Sequence, residues 1–240
     1  NMKDQINLAE QIDELVLANH ILANENVVDS FGHISLRNPK NPDQFFLSCS
    51  RSPELVTTED IMEFDLKGNS VDGSVLRPYG ERFIHGSIME ARPDVQSVVH
   101  NHSLSVIPFT VTKTKLQPII HTGAAIGKDI PVWDIYDKFG DTDLLVRNVD
   151  QGRDLARTMG NNNVVLMRGH GCAVTGGTIK EATLTAVYLQ IAASVQLQSM
   201  PLGEIRYLTD GETEKCTEMF YSDLSMDRVW ETLARRVKNI

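Results

Sequence analysis

The sequence has few cysteines and no long apolar run, and each shortage excludes a class of protein. Its three cysteines, Cys49, Cys172 and Cys216, form no Cys-x-x-Cys pair, which argues against a disulfide scaffold and a zinc ribbon. The most apolar stretch, 183–197, is interrupted by glutamine and serine and falls short of a membrane span. Because no basic start leads into an apolar segment, no secretory signal is expected. We therefore expect a cytoplasmic protein that does not associate with membranes.

Positive charge is also scarce. The chain has 23 Lys and Arg against 32 Asp and Glu, a formal net charge of -9. Contacts to nucleic-acid phosphates need Lys and Arg, so no nucleic-acid partner is expected, whereas a locally basic pocket for a small anion is compatible with this balance. The 240 residues contain no repeat, low-complexity tract or long linker. We expect a single domain over residues 1–240.

The hydrophobic pattern changes from helical to alternating spacing and back along the chain. Apolar residues between Leu8 and Leu22 recur with the spacing of a helix that buries one face. Ile34 and Leu36 alternate with polar residues as in a strand, and a second strand around Phe46 would complete a hairpin. The capping-box pair Thr178 and Glu181 predicts a helix to about Met200, and a last helix is predicted over Asp227–Val237. Together these features indicate an α/β fold with helices on the faces of a mostly antiparallel sheet.

Three histidines lie at the ends of two predicted strands. His100 and His102 follow the short run Val95–Val99, and residues two apart on a strand project from the same face. His170 follows the run Val164–Met167 and is flanked by glycines, which permit a tight turn beside the imidazole. Three imidazoles with open positions are typical of a catalytic metal site rather than a closed structural one.

Glu81 begins a predicted helix that ends before Arg92 and Pro93. Its carboxylate is a candidate fourth metal ligand, a candidate general base, or each in turn. Imidazole ligands alone suit zinc, and an added carboxylate oxygen makes manganese an alternative.

Four segments, in this order and spacing, resemble the class II aldolase/adducin family: Pro78-Tyr79-Gly80-Glu81, Arg92-Pro93-Asp94, Val98-Val99-His100-Asn101-His102 and Arg168-Gly169-His170-Gly171. The resemblance extends from about Leu8 to Leu197. It implies a three-layer α/β/α fold around an antiparallel sheet, and homotetramers with active sites at the subunit interfaces. It also implies that His100, His102 and His170 hold a divalent metal ion and that Glu81 is the catalytic carboxylate.

The sequence departs from the sugar-phosphate members of that family at the phosphate-binding positions. Where those members have Gly-Asn, Thr-Gly and Ser-Ser pairs, this chain has Gly32-His33, Ser50-Arg51 and Tyr79-Gly80. The missing hydroxyl pair counts against a phosphorylated sugar. Arg51 offers a planar fork that matches a carboxylate. The segments around His33 and Arg51 resemble the decarboxylase branch, whose type member is 3-hydroxy-2-methylpyridine-4,5-dicarboxylate decarboxylase.

The remaining candidates each have a structural alternative. Arg51 could instead be a solvated loop charge or form a salt bridge within the tetramer, and His33 could be a hydrogen-bonded core histidine. His121 corresponds to a region that approaches the neighbouring subunit's site in the family, where it would donate a proton or contact the substrate; the alternative is a structural role. His20 and His85 are expected to be packing residues or residues that support the site from behind, and neither is expected to bind the metal.

These observations predict a metal-dependent carbon–carbon lyase. The leading hypothesis is decarboxylation of a hydroxylated aromatic or pyridine dicarboxylate through a metal-stabilised enolate. In it His33, Ser50 and Arg51 orient the small carboxylated substrate, and Glu81, His121 or a water on the metal supplies the proton. One alternative is an aldolase or epimerase acting on a sugar phosphate or sugar acid. Another is a non-catalytic adducin-like interaction module, although adducin lacks the three histidines.

Overall fold

The computed structural model describes residues 7–238, so the outermost residues of the predicted 1–240 domain lie outside the described part. A seven-stranded sheet has the order β3-β2-β1-β4-β7-β6-β5. The strands are β1 (His33–Arg37), β2 (Gln44–Ser48), β3 (Ile61–Asp65), β4 (Ser97–Asn101), β5 (Val132–Trp133), β6 (Val164–Met167) and β7 (Gly171–Gly176). All neighbouring strands are antiparallel except β5 and β6, which are parallel. The predicted mostly antiparallel sheet is confirmed.

Eight α-helices accompany the sheet in the described residues: α1 (Leu8–Asn24), α2 (Arg82–Ala91), α3 (Ile107–Thr110), α4 (Tyr136–Phe139), α5 (Val149–Met159), α6 (Ile179–Ser199), α7 (Asp210–Phe220) and α8 (Asp223–Lys238). Short 3-10 helices occupy Pro53–Leu55, Thr58–Asp60, His121–Ile126 and Met200–Leu202. In this part of the chain no helix is long and apolar enough to cross a membrane.

Helices cover both faces of the sheet and divide the apolar core into two clusters. On one face, Ile34, Val99 and Val174 pack in a cluster with residues of α1, α6 and α8. On the other face, Val98 and Ala173 pack in a cluster with residues of α2 and α5. Successive residues of one strand therefore enter different clusters, as the pleat requires. The result is the predicted α/β/α arrangement.

Most predicted elements are present, with shifts at their ends. The β1–β2 hairpin is confirmed, and α6 begins after Thr178, whose hydroxyl accepts a hydrogen bond from the Glu181 N–H. The Glu181 carboxylate accepts from the Gly177 N–H rather than from that of Thr178, so the capping box is displaced by one residue. The last helix begins four residues earlier than predicted, at Asp223. The sequence did not predict α7, in which only Phe220 is buried and an apolar stripe is weak.

The polar face of β1 is buried rather than exposed. His33, Ser35 and Arg37 all lie at or below 5% exposure because α2 covers this face of the sheet. Arg37 donates hydrogen bonds to the carbonyl oxygens of Val95 and Met89 at 2.9 and 2.7 Å. A buried guanidinium is stable only when its donors are paired in this way. The candidate site lies on this buried polar face of the sheet.

Candidate metal centre and substrate cavity

The four residues predicted to form the metal site converge, although three separate parts of the chain contribute them. Glu81 is the residue before α2, His100 lies in β4, His102 follows the end of that strand, and His170 lies in the turn between β6 and β7. One ligand atom from each residue lies within 4.8 Å of all the others. The fold thus assembles a set of three imidazoles and one carboxylate.

The ligand atoms face one another at short range. His100 Nε2 lies 3.2 Å from His102 Nε2. Glu81 Oε1 lies 3.4 Å from His170 Nε2 and 3.7 Å from His100 Nε2. A tetrahedron of ligands at about 2.0–2.1 Å from a metal has edges of roughly 3.3 Å. The separations therefore fit a single divalent ion.

Backbone carbonyls orient two of the imidazoles. His100 Nδ1 lies 3.0 Å from the Cys172 carbonyl oxygen, and His170 Nδ1 lies 3.0 Å from that of Leu144. A carbonyl oxygen only accepts hydrogen bonds, so each Nδ1 carries the proton and each Nε2 presents a lone pair to the centre. His170 Nε2 is buried and has no hydrogen-bond partner within residues 7–238. A buried lone pair without a partner is costly and is what a metal ion would satisfy.

Electrostatics prepare these groups to bind a cation. Burial lowers the pKa of His100 to about 3 and also lowers the pKa of His102, so both imidazoles are neutral near pH 7. Burial alone would raise the pKa of Glu81, but His100, His170 and the Val146 N–H together lower it to about 2. The position of Glu81 at a helix N-terminus favours the ionised carboxylate as well. The site therefore offers one negative charge on Glu81 and the neutral imidazoles of His100 and His102, the protonation states that metal binding requires.

Two glycines permit the position of His170. Gly169 adopts a φ of 65°, a conformation that glycine reaches without steric cost. A Cβ at Gly171 would lie 2.0 Å from the carbonyl oxygen of Asn101, so β7 approaches β4 this closely only with glycine there. Gly169 thus has the predicted role in a tight turn, whereas Gly171 is required for a different reason, the close approach of two strands.

The loop 143–147 contributes to the site through its backbone, and no pattern in the sequence predicted this role. The Leu144 carbonyl accepts from His170, and the Val146 N–H donates to Glu81 Oε2 at 3.1 Å. Leu144 has a φ of 69°, an unusual conformation for a side chain other than glycine, asparagine or aspartate. Because every residue has a carbonyl and almost every one an N–H, no side-chain motif could have revealed this role.

A cavity of about 520 Å³ lies beside the cluster, and His33, Ser50 and Arg51 all line it. The sequence predicted these three as substrate contacts. Arg51 Nη1 lies 3.0 Å from Asp60 Oδ2, and its side chain keeps 43% exposure. This pairing engages Nη1 and leaves Nε and Nη2 for a ligand. Arg51 is thus on the cavity wall, but one of its three nitrogens already has a partner.

Tyr79 connects the walls of the cavity. Its hydroxyl donates to the Arg51 carbonyl oxygen, and its ring centroid is 4.4 Å from that of His33. Burial raises the pKa of Tyr79 to about 12, so the phenol keeps its proton and acts as a donor. The sequence had identified Tyr79 only as part of a motif.

The other histidines separate into two groups. His85 is fully buried in α2 and bonds to His33, which is consistent with the expected role of a residue that supports the site from behind. His20 Nε2 lies 2.8 Å from the Val56 carbonyl oxygen, consistent with packing. His121 is exposed at the start of a 3-10 helix and is not among the residues that line the cavity. Its predicted contribution across a subunit interface remains a prediction.

Comparison with known proteins places the chain in a family. The Class II Aldolase and Adducin N-terminal domain family matches residues 13–197. The decarboxylase tropJ of Talaromyces stipitatus is 37% identical over 209 residues, which cover 80% of this chain and 77% of that protein. The 3,4-dihydroxyphthalate decarboxylase of Arthrobacter keyseri is 31% identical over 207 residues, which cover 80% of this chain and 79% of that protein.

A solved structure shares the fold. The L-fuculose 1-phosphate aldolase from Glaciozyma antarctica superposes with a TM-score of 0.79 over 96% of this chain and 89% of that one, at 21% identity. The chain belongs to the class II aldolase/adducin family. Its similarity to decarboxylases and aldolases supports an enzyme.

Proposed function

We propose that this protein is a divalent-metal-dependent decarboxylase of a hydroxylated aromatic or pyridine carboxylic acid. The observation that carries the proposal is the position of Arg51 on the wall of the cavity that also contains His100, His102 and Glu81. A cationic fork and a metal-binding cluster that share one cavity suit a substrate with a carboxylate and a neighbouring oxygen. The 37% identity to a decarboxylase supports the same reading.

His100, His102 and His170 would hold the metal, with Glu81 as a fourth ligand or as a base beside it. Zinc and manganese both suit this donor set. When bound, the ion supplies a Lewis acid that stabilises negative charge on a substrate oxygen as the carbon–carbon bond breaks.

The protein's own residues bind and orient the carboxylic acid. Arg51 pairs with one carboxylate, and the hydroxyl of Ser50, the neighbouring residue on the cavity wall, donates to the same group. Tyr79 holds the Arg51 backbone through its hydroxyl, so the guanidinium is presented from a fixed position. Orientation matters because carbon dioxide leaves only when the breaking bond is aligned with the electron-accepting ring system.

Glu81 is the proposed proton carrier. With a pKa of about 2 it enters the reaction ionised, and it therefore acts first as a base. It takes a proton from the substrate hydroxyl at a carboxylate oxygen and returns it to the ring carbon that has lost carbon dioxide. Loss of carbon dioxide leaves an electron pair on that carbon, and protonation completes the exchange of a carboxylate for a hydrogen.

The test is carbon dioxide release from a panel of ortho-hydroxy benzene and pyridine dicarboxylates, with zinc-loaded and manganese-loaded protein. We expect release from at least one acid, and its loss in His102→Ala. Cleavage of a sugar phosphate or sugar acid, with no release from any acid of the panel, would instead make the protein an aldolase. Arg51 would then have a structural role.

A second proposal concerns assembly. We propose a homotetramer with active sites at subunit interfaces, in which His121 reaches a neighbouring site. The exposed position of His121, away from the cavity of its own chain, is compatible with a contribution to another chain.

A further inference from the structure

Three hydrogen-bonding side chains form a row behind the substrate cavity, on the buried polar face of β1 and the facing side of α2. His33 Nδ1 lies 2.6 Å from His85 Nε2, and His85 Nδ1 lies 2.5 Å from Ser35 Oγ. Ser35 and His85 have no exposure and His33 has 4%. Because the row is buried, each side chain must satisfy its polar atoms with the next one.

Ser35, at one end of the row, sets the direction in which the hydrogen bonds of the row are donated. The Ser35 hydroxyl donates to the Val98 carbonyl oxygen at 3.4 Å, and a carbonyl oxygen only accepts. We assign the single Ser35 proton to the Val98 contact, so that the Ser35 oxygen accepts a hydrogen bond from His85 Nδ1–H at 2.5 Å. A buried imidazole without a carboxylate partner is neutral, so His85 Nε2 has a lone pair. His33 Nδ1–H donates to that lone pair.

This arrangement leaves a lone pair on His33 Nε2. Within residues 7–238 no hydrogen bond to this atom is formed, and His33 lines the cavity. The ring lies between Tyr79 and His100, with centroid separations of 4.4 and 5.2 Å. A lone pair at this position attracts the proton of a hydroxyl group and repels the oxygens of a carboxylate.

We infer that His33 accepts a hydrogen bond from a second hydroxyl group of the substrate, distinct from the one that gives its proton to Glu81, and that His85 and Ser35 are positioning residues that hold His33 in the Nδ1–H tautomer. The inference rests on the proposed function and identifies one substituent of its substrate. Two residues then recognise two substituents of the substrate, because Arg51 binds the carboxylate and His33 binds the hydroxyl. His33 is thereby removed from the carboxylate-orienting group that the sequence suggested.

The first test observes the tautomer directly. Nitrogen-15 spectra of zinc-loaded protein labelled at histidine distinguish a protonated Nδ1 from a protonated Nε2, and His33→Gln and His85→Gln assign the signals by their loss. We expect neutral His33 and neutral His85, each with its proton on Nδ1. A His33 signal with the proton on Nε2 would overturn the inference. This measurement needs neither turnover nor a stable variant of Ser35.

The second test measures selectivity for the hydroxyl. The probes are an ortho-hydroxy aromatic acid with a second hydroxyl and the methyl ether of that second hydroxyl, and titration calorimetry with zinc-loaded protein gives both affinities. We expect the wild type to prefer the hydroxyl form by about 10- to 100-fold, as sites that pair a buried polar group do. Ser35→Ala removes the acceptor of His85 Nδ1–H and frees both imidazoles to exchange tautomers. The preference should then fall by about tenfold.

Ser97→Ala is the matched control. The Ser97 hydroxyl donates to the Ser35 carbonyl oxygen at 2.7 Å and is equally buried, but it has no part in the row of imidazoles. The control should keep the wild-type preference. A preference that arises only from the bulk of the methyl group would persist in Ser35→Ala, and that result would contradict the inference.

The binding measurement tests the role of His33, and the release of carbon dioxide tests the proposed function, so the two can fail separately. Binding preference is measured without turnover, so a loss of preference confined to Ser35→Ala supports the role of His33 even if the panel releases no carbon dioxide. Release of carbon dioxide together with an unchanged preference in Ser35→Ala overturns the role of His33 alone.

Discussion

His33 and His100 lie directly opposite each other in the antiparallel pairing of β1 with β4, and their ring centroids are 5.2 Å apart. Paired residues on neighbouring strands project from the same face, so both imidazoles point toward α2. His100 belongs to the cluster that fits a metal ion, and His33 lines the adjoining cavity. The register of two strands thus sets the distance between the proposed metal centre and the group proposed to contact the substrate.

Removal of one metal ligand should weaken metal binding. We expect His102→Ala to lower divalent-metal affinity by more than the roughly 10- to 100-fold that follows loss of a residue that only orients a ligand. Elemental analysis after dialysis measures the bound metal per chain. His20→Ala is the control because His20 bonds to the Val56 carbonyl oxygen and is not one of the clustered residues. Equal metal content in the two variants would argue against His102 as a ligand.

Removal of the guanidinium should impair binding of the carboxylate. A hydrogen bond to a charged group contributes about 1.5–3 kcal/mol, so Arg51→Ala should lower kcat/KM by about 10- to 150-fold. The comparison uses the acid that shows the highest carbon dioxide release in the panel. Arg153→Ala, which removes a surface partner of Glu90, should leave kcat/KM unchanged. Full activity of Arg51→Ala would contradict the proposed substrate contact and leave Arg51 with a structural role.

The requirement for glycine where β7 approaches β4 can be tested by adding one methyl group at Gly171. A Cβ at Gly171 would lie 2.0 Å from the Asn101 carbonyl oxygen, so Gly171→Ala must displace a strand next to His170. We expect a loss of about 1–3 kcal/mol in the free energy of unfolding, measured by urea denaturation, and weaker metal binding. Gly211→Ala is a matched control in α7, where a Cβ meets no atom within 4 Å. It should leave stability unchanged or raise it by up to about 1 kcal/mol.

Stability should fall in acid because histidines are buried in their neutral form. Burial lowers the pKa of His85 to about 3, whereas an unfolded histidine has a pKa near 6.5. Between these values the unfolded chain binds more protons than the folded chain, so the free energy of unfolding decreases as the pH falls below about 6.5. The slope is up to about 1.4 kcal/mol per pH unit for each such histidine.

Urea denaturation of chelator-treated protein at pH 7.5 and 5.5 measures this effect without a contribution from metal release. An equal free energy of unfolding at the two values would show that His85 is not buried as a neutral group.

The proposed tetramer makes a prediction about His121. Light scattering should give a mass about four times the 26.8 kDa of one chain. His121→Ala should lower kcat while the metal content and the mass stay constant, because the side chain is proposed to act at a neighbouring site. A monomer with full activity would contradict the role of His121 and the interfacial site together.

The sequence by itself determined the fold class and the four clustered residues. Alternating spacing predicted β1 and helical spacing predicted α1, because burial of one face imposes these periods on the sequence. The motifs around His100 and His170 predicted the donor set, because metal chemistry restricts ligands to a few side-chain types. Weakly amphipathic α7 escaped prediction because its packing leaves almost no apolar stripe.

Tertiary structure alone decided how those donors are oriented and what surrounds them. The carbonyl of Leu144 and the N–H of Val146 contact His170 and Glu81, and backbone groups occur at every position without a sequence signature. The bond between His33 and His85 joins residues 52 positions apart and exists only because α2 packs over β1. Hydrogen-bond direction depends on which atoms meet in space, so a linear sequence specifies the groups but not the tautomers they adopt.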